Sequence, residues 1–436
     1  MATEGGNVAA EEQPALVSTS APSRFRYISV AIIFFLWLVI YFASIFSPPL
    51  LDDVDTIHAE AAREMVLRHD WVTLYTDGIR YLEKAPLMYW GVAASYEIFG
   101  VKDWSTRLPL VLGVLILLLA IYRFGTLAYG ERGGLYSAVV LCTALGPYIF
   151  TRFEIPDMVV GLWITFSLLF FWMSLQQEKP SRWVCWGFAA ACAMNVLTKS
   201  LIGLVFPVGI VILYLLVTRN LRHLLKLRPI SSTLVFLAIA APWHILAAIA
   251  NPSQGNVKGF LWFYFINEQL NRYLGKRVPA GYDTVPLLIF WALTLLWVAP
   301  WLAFLPQSLK AVPWHGRELK DKLLPRQQAN LLFAIWTVVI VGFFTFSTRQ
   351  EYYTIPAIPA LALLIGGWLA KEPANLETEG RAGRISSCAL FALVAVGSAI
   401  GIALLFSSKP AAAGADLADL LQKNPHSCLA RSRRSS

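Results

Sequence analysis

Long apolar runs dominate the chain, with short polar breaks between them. Crossing the hydrocarbon core of a bilayer takes roughly 20 apolar residues in a helix. Runs of this kind cover about 27–46, 107–124, 134–150, 158–175, 183–197, 200–217, 231–250, 284–305, 329–347, 353–370 and 385–406. They predict an all-α polytopic membrane protein of about eleven spans. Between 183 and 217, Thr198-Lys199-Ser200 divides one apolar stretch into two short halves. Discontinuous helices of that sort are tolerated where they line a cavity.

The largest polar break runs from Leu51 to Trp90, a charged island inside the outer segment 47–106. Asp55 is expected as the N-cap of an outer helix reaching about His69. Ile57, Ala61 and Met65 mark its apolar face, with Glu60, Glu64 and Arg68 turned away. Glu64 and Arg68 stand four apart, as a helix-surface ion pair would. Such a helix is expected to lie flat on the bilayer. Glu83-Lys84 then leads into a second interfacial helix, with Pro86 near its first position and Tyr89 and Trp90 at headgroup level.

Composition supports the membrane assignment, since 57% of the residues are hydrophobic and only 14% are charged. The formal charge of +9 is explained by basic inner loops and does not call for nucleic acid. Placing the N-terminus in the cytoplasm makes every inner loop basic: Arg24/Arg26, Arg123/Arg132, Lys179/Arg182, Arg219/Arg222/Lys226/Arg228, Lys310 to Arg326, and Lys371/Arg381/Arg384. The expected organisation is a disordered cytoplasmic segment 1–26, a membrane domain 27–406 with outer loops at 47–106 and 251–283, and a short tail 407–436. Cys142, Cys185, Cys192, Cys388 and Cys428 show neither pairing nor metal spacing. His58, His69 and His244 are likewise not spaced as ligands, and no phosphate loop or dinucleotide fingerprint occurs.

This orientation gathers the chemistry-bearing residues on the outer side: Asp52, Asp53, Asp55, Glu83, Lys84, Arg152, Glu154, Asp157, Lys199, Glu268, Arg272, Arg349, Glu351, Tyr352 and Tyr353. Ionisable groups beside spans are costly unless paired or facing a wet cavity, so their convergence marks a functional site. Three acids within four residues (Asp52, Asp53, Asp55) repel one another, and one cap accounts for only one of them. A cationic ligand, a metal or a proton-accepting role would account for the rest. Lys84 is placed either to meet a lipid phosphate or simply to snorkel. Asp157 is either a helix cap or a member of the site. Several cations on one surface form a phosphate cradle.

The order of motifs resembles a known family. Asp53-Val-Asp55, Ala59-Glu-Ala-Ala-Arg-Glu-Met65 and Glu83-Lys-Ala-Pro-Leu-Met-Tyr-Trp90 come first. Ile155-Pro-Asp157, Leu197-Thr-Lys-Ser200, Asn267-Glu-Gln-Leu-Asn-Arg-Tyr273 and Glu351-Tyr-Tyr353 follow. Together they are similar to the bacterial lipid-linked glycosyltransferases of the GT-C superfamily, in the group of the aminoarabinose transferases and protein O-mannosyltransferases. The resemblance implies a GT-C-like helical bundle with interfacial helices in the first outer loop. It also implies a polyprenyl-phosphate sugar donor and a site facing the periplasm from the cytoplasmic membrane of a bacterium. The acceptor would be lipid A, a protein or another envelope glycan, and transfer would invert the anomeric carbon. Asp55 or its neighbour Asp53 would be catalytic. Lys84, Arg272, Tyr353, Arg349 and Lys199 would hold the donor phosphate, with Glu83, Asp157 and Glu154 in acceptor or supporting roles. Two departures stand out. Counting back from Ala59 puts the family's Asp-Glu on Val54-Asp55, and Gln269 occupies the place of a histidine that helps hold a metal in some relatives. A divalent metal therefore stays open, with Glu83 its candidate ligand. Several relatives also carry a large soluble domain after the spans, and only about thirty residues follow them here. The alternatives are a polyprenyl-lipid flippase or transporter, expected to bury ionisable groups mid-span, and a non-catalytic membrane scaffold.

Overall fold

A computed structural model describes residues 24–47, 49–50, 53–255, 257–279, 284–314, 323–370 and 380–407. The expected disorder before residue 24, Asp52, and the tail after 407 lie outside these residues. Sixteen α-helices occur among the described residues. They are α1 (Arg24–Trp37), α2 (Asp53–Arg68), α3 (Leu87–Phe99), α4 (Asp103–Tyr129), α5 (Glu131–Thr143), α6 (Leu145–Phe150), α7 (Asp157–Leu175) and α8 (Arg182–Lys199), then α9 (Ile202–Val217), α10 (His223–Lys226), α11 (Pro229–Ala250), α12 (Leu287–Leu296), α13 (Leu305–Lys310), α14 (Pro325–Thr345), α15 (Ile358–Leu369) and α16 (Gly380–Ser407).

Five of the described helical stretches are long and apolar enough to cross a bilayer: Arg24–Phe46, Asp103–Tyr129, Asp157–Leu175, Pro229–Ala250 and Pro325–Thr345. Several other apolar runs are broken or shorter. The run expected at 284–305 bends by 92° between α12 and the stretch Trp301–Lys310. Pro300 sits in that bend and has no N–H to carry a helix through it. The run at 134–150 divides at Ala144 into α5 and α6. The break expected near Lys199 is present, as Ser200 adopts a left-handed φ of 70° between α8 and α9.

The core that holds the bundle together is large and apolar, and it is drawn from α1, α4, α5, α7, α9, α14 and α15. Small residues set its closest approaches. A Cβ placed on Gly134 would collide with Thr126 and the Tyr122 carbonyl of α4, and one on Gly366 would meet Ser137 of α5. Small residues let helix backbones approach in this way, which gains dispersion where lipid offers no hydrophobic drive.

The first outer loop builds a small core of its own, in which Ala61, Ala62 and Met65 of α2 pack on Tyr89, Val92, Ala93 and Tyr96 of α3. Two expectations for this loop are corrected. Asp55 is not the N-cap, because α2 begins at Asp53 and places Asp55 within its first turn. Glu64 is not turned away but buried, accepting hydrogen bonds from Arg68 Nε at 2.6 Å and from the Gly78 N–H at 2.6 Å. Gly78 belongs to a two-stranded hairpin, β1 (Tyr75–Thr76) and β2 (Ile79–Arg80), turned by Asp77-Gly78 with both φ angles positive. Glu64 thereby ties the hairpin to α2.

Candidate active site

Seven segments meet around a cavity of about 480 Å³. They are α2, the loop into α3, Pro156 ahead of α7, the break between α8 and α9, a π-helix at Trp262–Asn271 with the residues just after it, the end of α14, and the turn around Tyr353. Polar side chains in the cavity lining include His58, Glu83, Lys84, Lys199, Glu268 and Arg272. Leu201, Val205, Phe265, Phe343 and Phe344 line it as well. A cavity lined by both ionic and hydrocarbon-like groups suits an amphiphile with an anionic head.

The ions are arranged in pairs. Asp157, 1% exposed at the head of α7, accepts from Lys199 Nζ through both oxygens, at 2.7 and 2.6 Å. The same ammonium lies over the rings of Tyr353 (4.8 Å) and Tyr352 (5.7 Å), a cation–π arrangement. On the π-helix, Glu268 accepts from Arg272 Nη1 at 2.8 Å and from Arg277 Nε at 2.5 Å. Arg277 also donates to Glu83. Lys84 differs from these, for its ammonium makes no ion pair or hydrogen bond with any described residue. Burial in the cavity wall pulls its pKa down, as do Arg272 and Lys199 nearby, against the pull of Glu83 and Glu268. Burial would raise the Glu83 carboxyl, but Lys84 and Arg277 outweigh it and hold it below its ordinary value. Glu268 is raised, by burial first and then by Glu83.

A second cluster stands behind the cavity wall. Asp55, 3% exposed, accepts from the Glu154 N–H at 2.6 Å and pairs with Arg107 at 3.8 Å. One turn on, His58 meets the Glu154 carbonyl through Nδ1. A carbonyl only accepts, so Nδ1 carries the proton and Nε2 is left with a lone pair. Burial, followed by the charge of Lys84, lowers the His58 pKa to about 4, so the ring is neutral. Glu154 is pushed up to about 8 by burial and by Asp55, and its Oε2 is buried with no hydrogen-bond partner among the described residues.

The structure therefore brings Glu83, Lys84, Lys199, Arg272 and Tyr353 onto the cavity, with Asp157 fixed to Lys199. Asp55 and Glu154 lie beside the cavity and do not line it. Arg349 also stays off it, because its guanidinium donates to the carbonyls of Val285, Thr345 and Ser347. Asp53 opens α2 at the same end of that helix as Asp55. Two site residues escaped the sequence reading. Arg277 follows Arg272 by five residues, and His58 stands three residues after Asp55 on the same helix face. That proximity was the only signal available for either. The donor set does not fit a divalent ion. Glu83 and Glu268 are engaged by guanidinium groups and Gln269 presents an amide. Among the described residues, no three His, Cys, Asp or Glu side chains come together as ligands.

Known proteins share both the sequence and the architecture. A family described as dolichyl-phosphate-mannose-protein mannosyltransferase matches residues 83–246. The undecaprenyl phosphate-alpha-4-amino-4-deoxy-L-arabinose arabinosyl transferase of Aeromonas salmonicida is 28% identical over 356 residues, covering 79% of this chain and 60% of the relative. The protein of the same name from Erwinia tasmaniensis is 27% identical over 351 residues, covering 78% and 59%. The chain thus spans about 60% of the length of these curated relatives. Among solved structures, ArnT from Cupriavidus metallidurans, crystallised with undecaprenyl phosphate, superposes with a TM-score of 0.72 at 25% identity, covering 87% of this chain and 64% of that one. An oligosaccharyltransferase from Archaeoglobus fulgidus shares the fold at a TM-score of 0.51 and 12% identity, covering 78% and 50%. By motif order, fold and relatives together, this polytopic membrane chain is similar to the GT-C glycosyltransferases of the aminoarabinose transferase and protein mannosyltransferase group.

Proposed function

We propose that the protein is a membrane glycosyltransferase. It moves a sugar from a polyprenyl-phosphate donor to an envelope acceptor (lipid A, a protein or a glycan) on the periplasmic face of the cytoplasmic membrane. One observation carries this reading: a Lys84 ammonium with no ion pair among the described residues, near Lys199 and Arg272, in a cavity that is also lined by apolar side chains. The cations receive a phosphate, and Leu201, Val205, Phe343 and Phe344 receive the start of an isoprenoid chain. Undecaprenyl phosphate, bound in the Cupriavidus structure, has this chemistry.

In the proposed reaction the acceptor oxygen attacks the anomeric carbon in line. The bond from that carbon to the phosphate oxygen breaks, and polyprenyl phosphate leaves with inversion. Negative charge grows on the departing phosphate, where Lys84 and Arg272 stabilise it and Tyr353 helps position it. If the acceptor is a hydroxyl, Asp55 takes the proton, a role worth typically about 10²–10⁴-fold that requires the acceptor to reach the head of α2 behind the cavity wall. If the acceptor is a phosphate no proton is lost, and Asp55 positions it. Asp53 is the neighbouring candidate for the same role. Asp157 holds Lys199, while Glu83 and Glu154 support the loop and the α2 contact.

The test is whether purified protein in detergent consumes a polyprenyl-phosphate sugar. Asp55→Asn is expected to abolish that consumption in a protein that still folds, with a lowered melting temperature because the buried Arg107 loses this carboxylate. Full activity in Asp55→Asn moves the role to Asp53, and no consumption of any such donor by the parent protein refutes the reading.

A further inference from the structure

The ion pairs of the cavity leave one lysine open, and the structure shows what keeps it so. Lys84 follows Glu83 directly, and a carboxylate beside an ammonium in a cavity wall is its natural partner. Glu83 nevertheless turns to Arg277, which spans Glu83 and Glu268 with one planar guanidinium. A fork of fixed donors holds two carboxylates in one set geometry, which the freely turning ammonium of a lysine does not impose. The loop that carries Arg277 is held independently, since the Asn267 side chain donates to the Val278 carbonyl at 2.7 Å and accepts from its N–H at 3.0 Å. Glu268 has a second cation in Arg272, whereas Glu83 makes no other described ion pair.

We propose that Arg277 is a positioning residue, drawing Glu83 away from Lys84 so that the Lys84 ammonium stays open to the phosphate of a lipid donor. Without the guanidinium, Glu268 keeps Arg272 and Glu83 falls back on Lys84, closing the phosphate site from within. Arg277 also joins by a side chain two carboxylates that a divalent cation would otherwise bridge, so phosphate binding here is indifferent to chelators. The inference rests on the glycosyltransferase reading above.

The probe is undecaprenyl phosphate, with binding to the detergent-purified full chain measured by native mass spectrometry, with and without EDTA. Arg277→Gln is expected to weaken binding by about tenfold or more, the scale of one charge-assisted contact. The double variant Arg277→Gln/Glu83→Gln is expected to recover most of that loss, because no stray carboxylate remains to capture Lys84. A purely structural role would not be rescued by a second substitution. Arg277→Lys, which keeps the charge and loses the fork, covers the case in which the glutamine variant does not fold, and Glu83→Gln should rescue it likewise. Parent-like binding in the single variants overturns the inference, as do folded double variants that stay weak or a parent protein that loses the lipid in EDTA. A parent protein that never binds undecaprenyl phosphate sinks the glycosyltransferase reading itself.

Discussion

The two ends of the bundle handle charge in opposite ways. At the basic end, cations reach water or backbone. Arg26 meets Glu131 at 2.9 Å with nearly half of its side chain exposed, Lys226 donates to the Glu178 carbonyl at 3.2 Å, and Arg326 donates to the Gly367 carbonyl at 2.5 Å. At the cavity end, three buried or half-buried carboxylates are answered by specific cations: Asp157 by Lys199, Glu268 by Arg272 and Arg277, Glu83 by Arg277. Burying ions is expensive, and geometry good enough to offset the cost is rarely kept without use. Equal numbers of charges would say little; their depth and pairing distinguish a site from a solvated surface.

Substitutions can break or sharpen that contrast. The largest effect is expected from Lys199→Met, which strands the buried Asp157. Breaking a buried pair from one side costs roughly 3–5 kcal/mol, so thermal unfolding should show a marked loss and sugar transfer should vanish. Lys84→Ala comes next and has the opposite signature. It removes an unpaired cation, so the melting temperature should hold while affinity for undecaprenyl phosphate falls about tenfold or more. Unchanged affinity would return Lys84 to the snorkelling alternative.

A third effect depends on pH. Folded Glu154 keeps its proton up to about pH 8, while the unfolded chain releases it near 4.5, so the folded state holds the extra proton between those values. Stability from this group is full below about pH 4.5 and falls as pH rises toward 8. His58 acts on the acid side. Its pKa is lowered from 6.5 to about 4, so stability falls as pH drops through that window. A melting curve recorded from pH 6 to 9 should decline, and Glu154→Gln should flatten it. Smallest of all is Arg26→Ala at the basic end, where neither melting temperature nor transfer should change measurably.

Much of the site was legible because polar residues stand out in apolar sequence. Lys84, Lys199, Arg272 and Tyr353 were each conspicuous, and they converge. What could not be read depended on the chain folding back. Arg277 finds Glu83 at a separation of 194 residues, and no spacing rule reaches that far. Glu64 was assigned to solvent because a helical period describes only its own helix, and the hairpin that covers it arrives fourteen residues later. Arg349 looked like a phosphate ligand by position, yet its donors go to two carbonyls of its own turn and to that of Val285, 64 residues earlier. The bend at Pro300 was hidden inside a run whose apolarity continues on both sides of it.

The seating of Asp157 and Lys199 also determines more than their own contact. Asp157 is the first residue of α7, and Lys199 the last of α8. Aligned peptide dipoles give a helix a partial positive charge at its beginning and a partial negative one at its end, each favouring an opposite ion by about 0.3–1 kcal/mol. Each side chain is therefore matched to its own helix terminus as well as to its partner. Exchanging the two (Asp157→Lys with Lys199→Asp) would keep the pair and reverse both matches, so the swapped protein should be less stable than the parent.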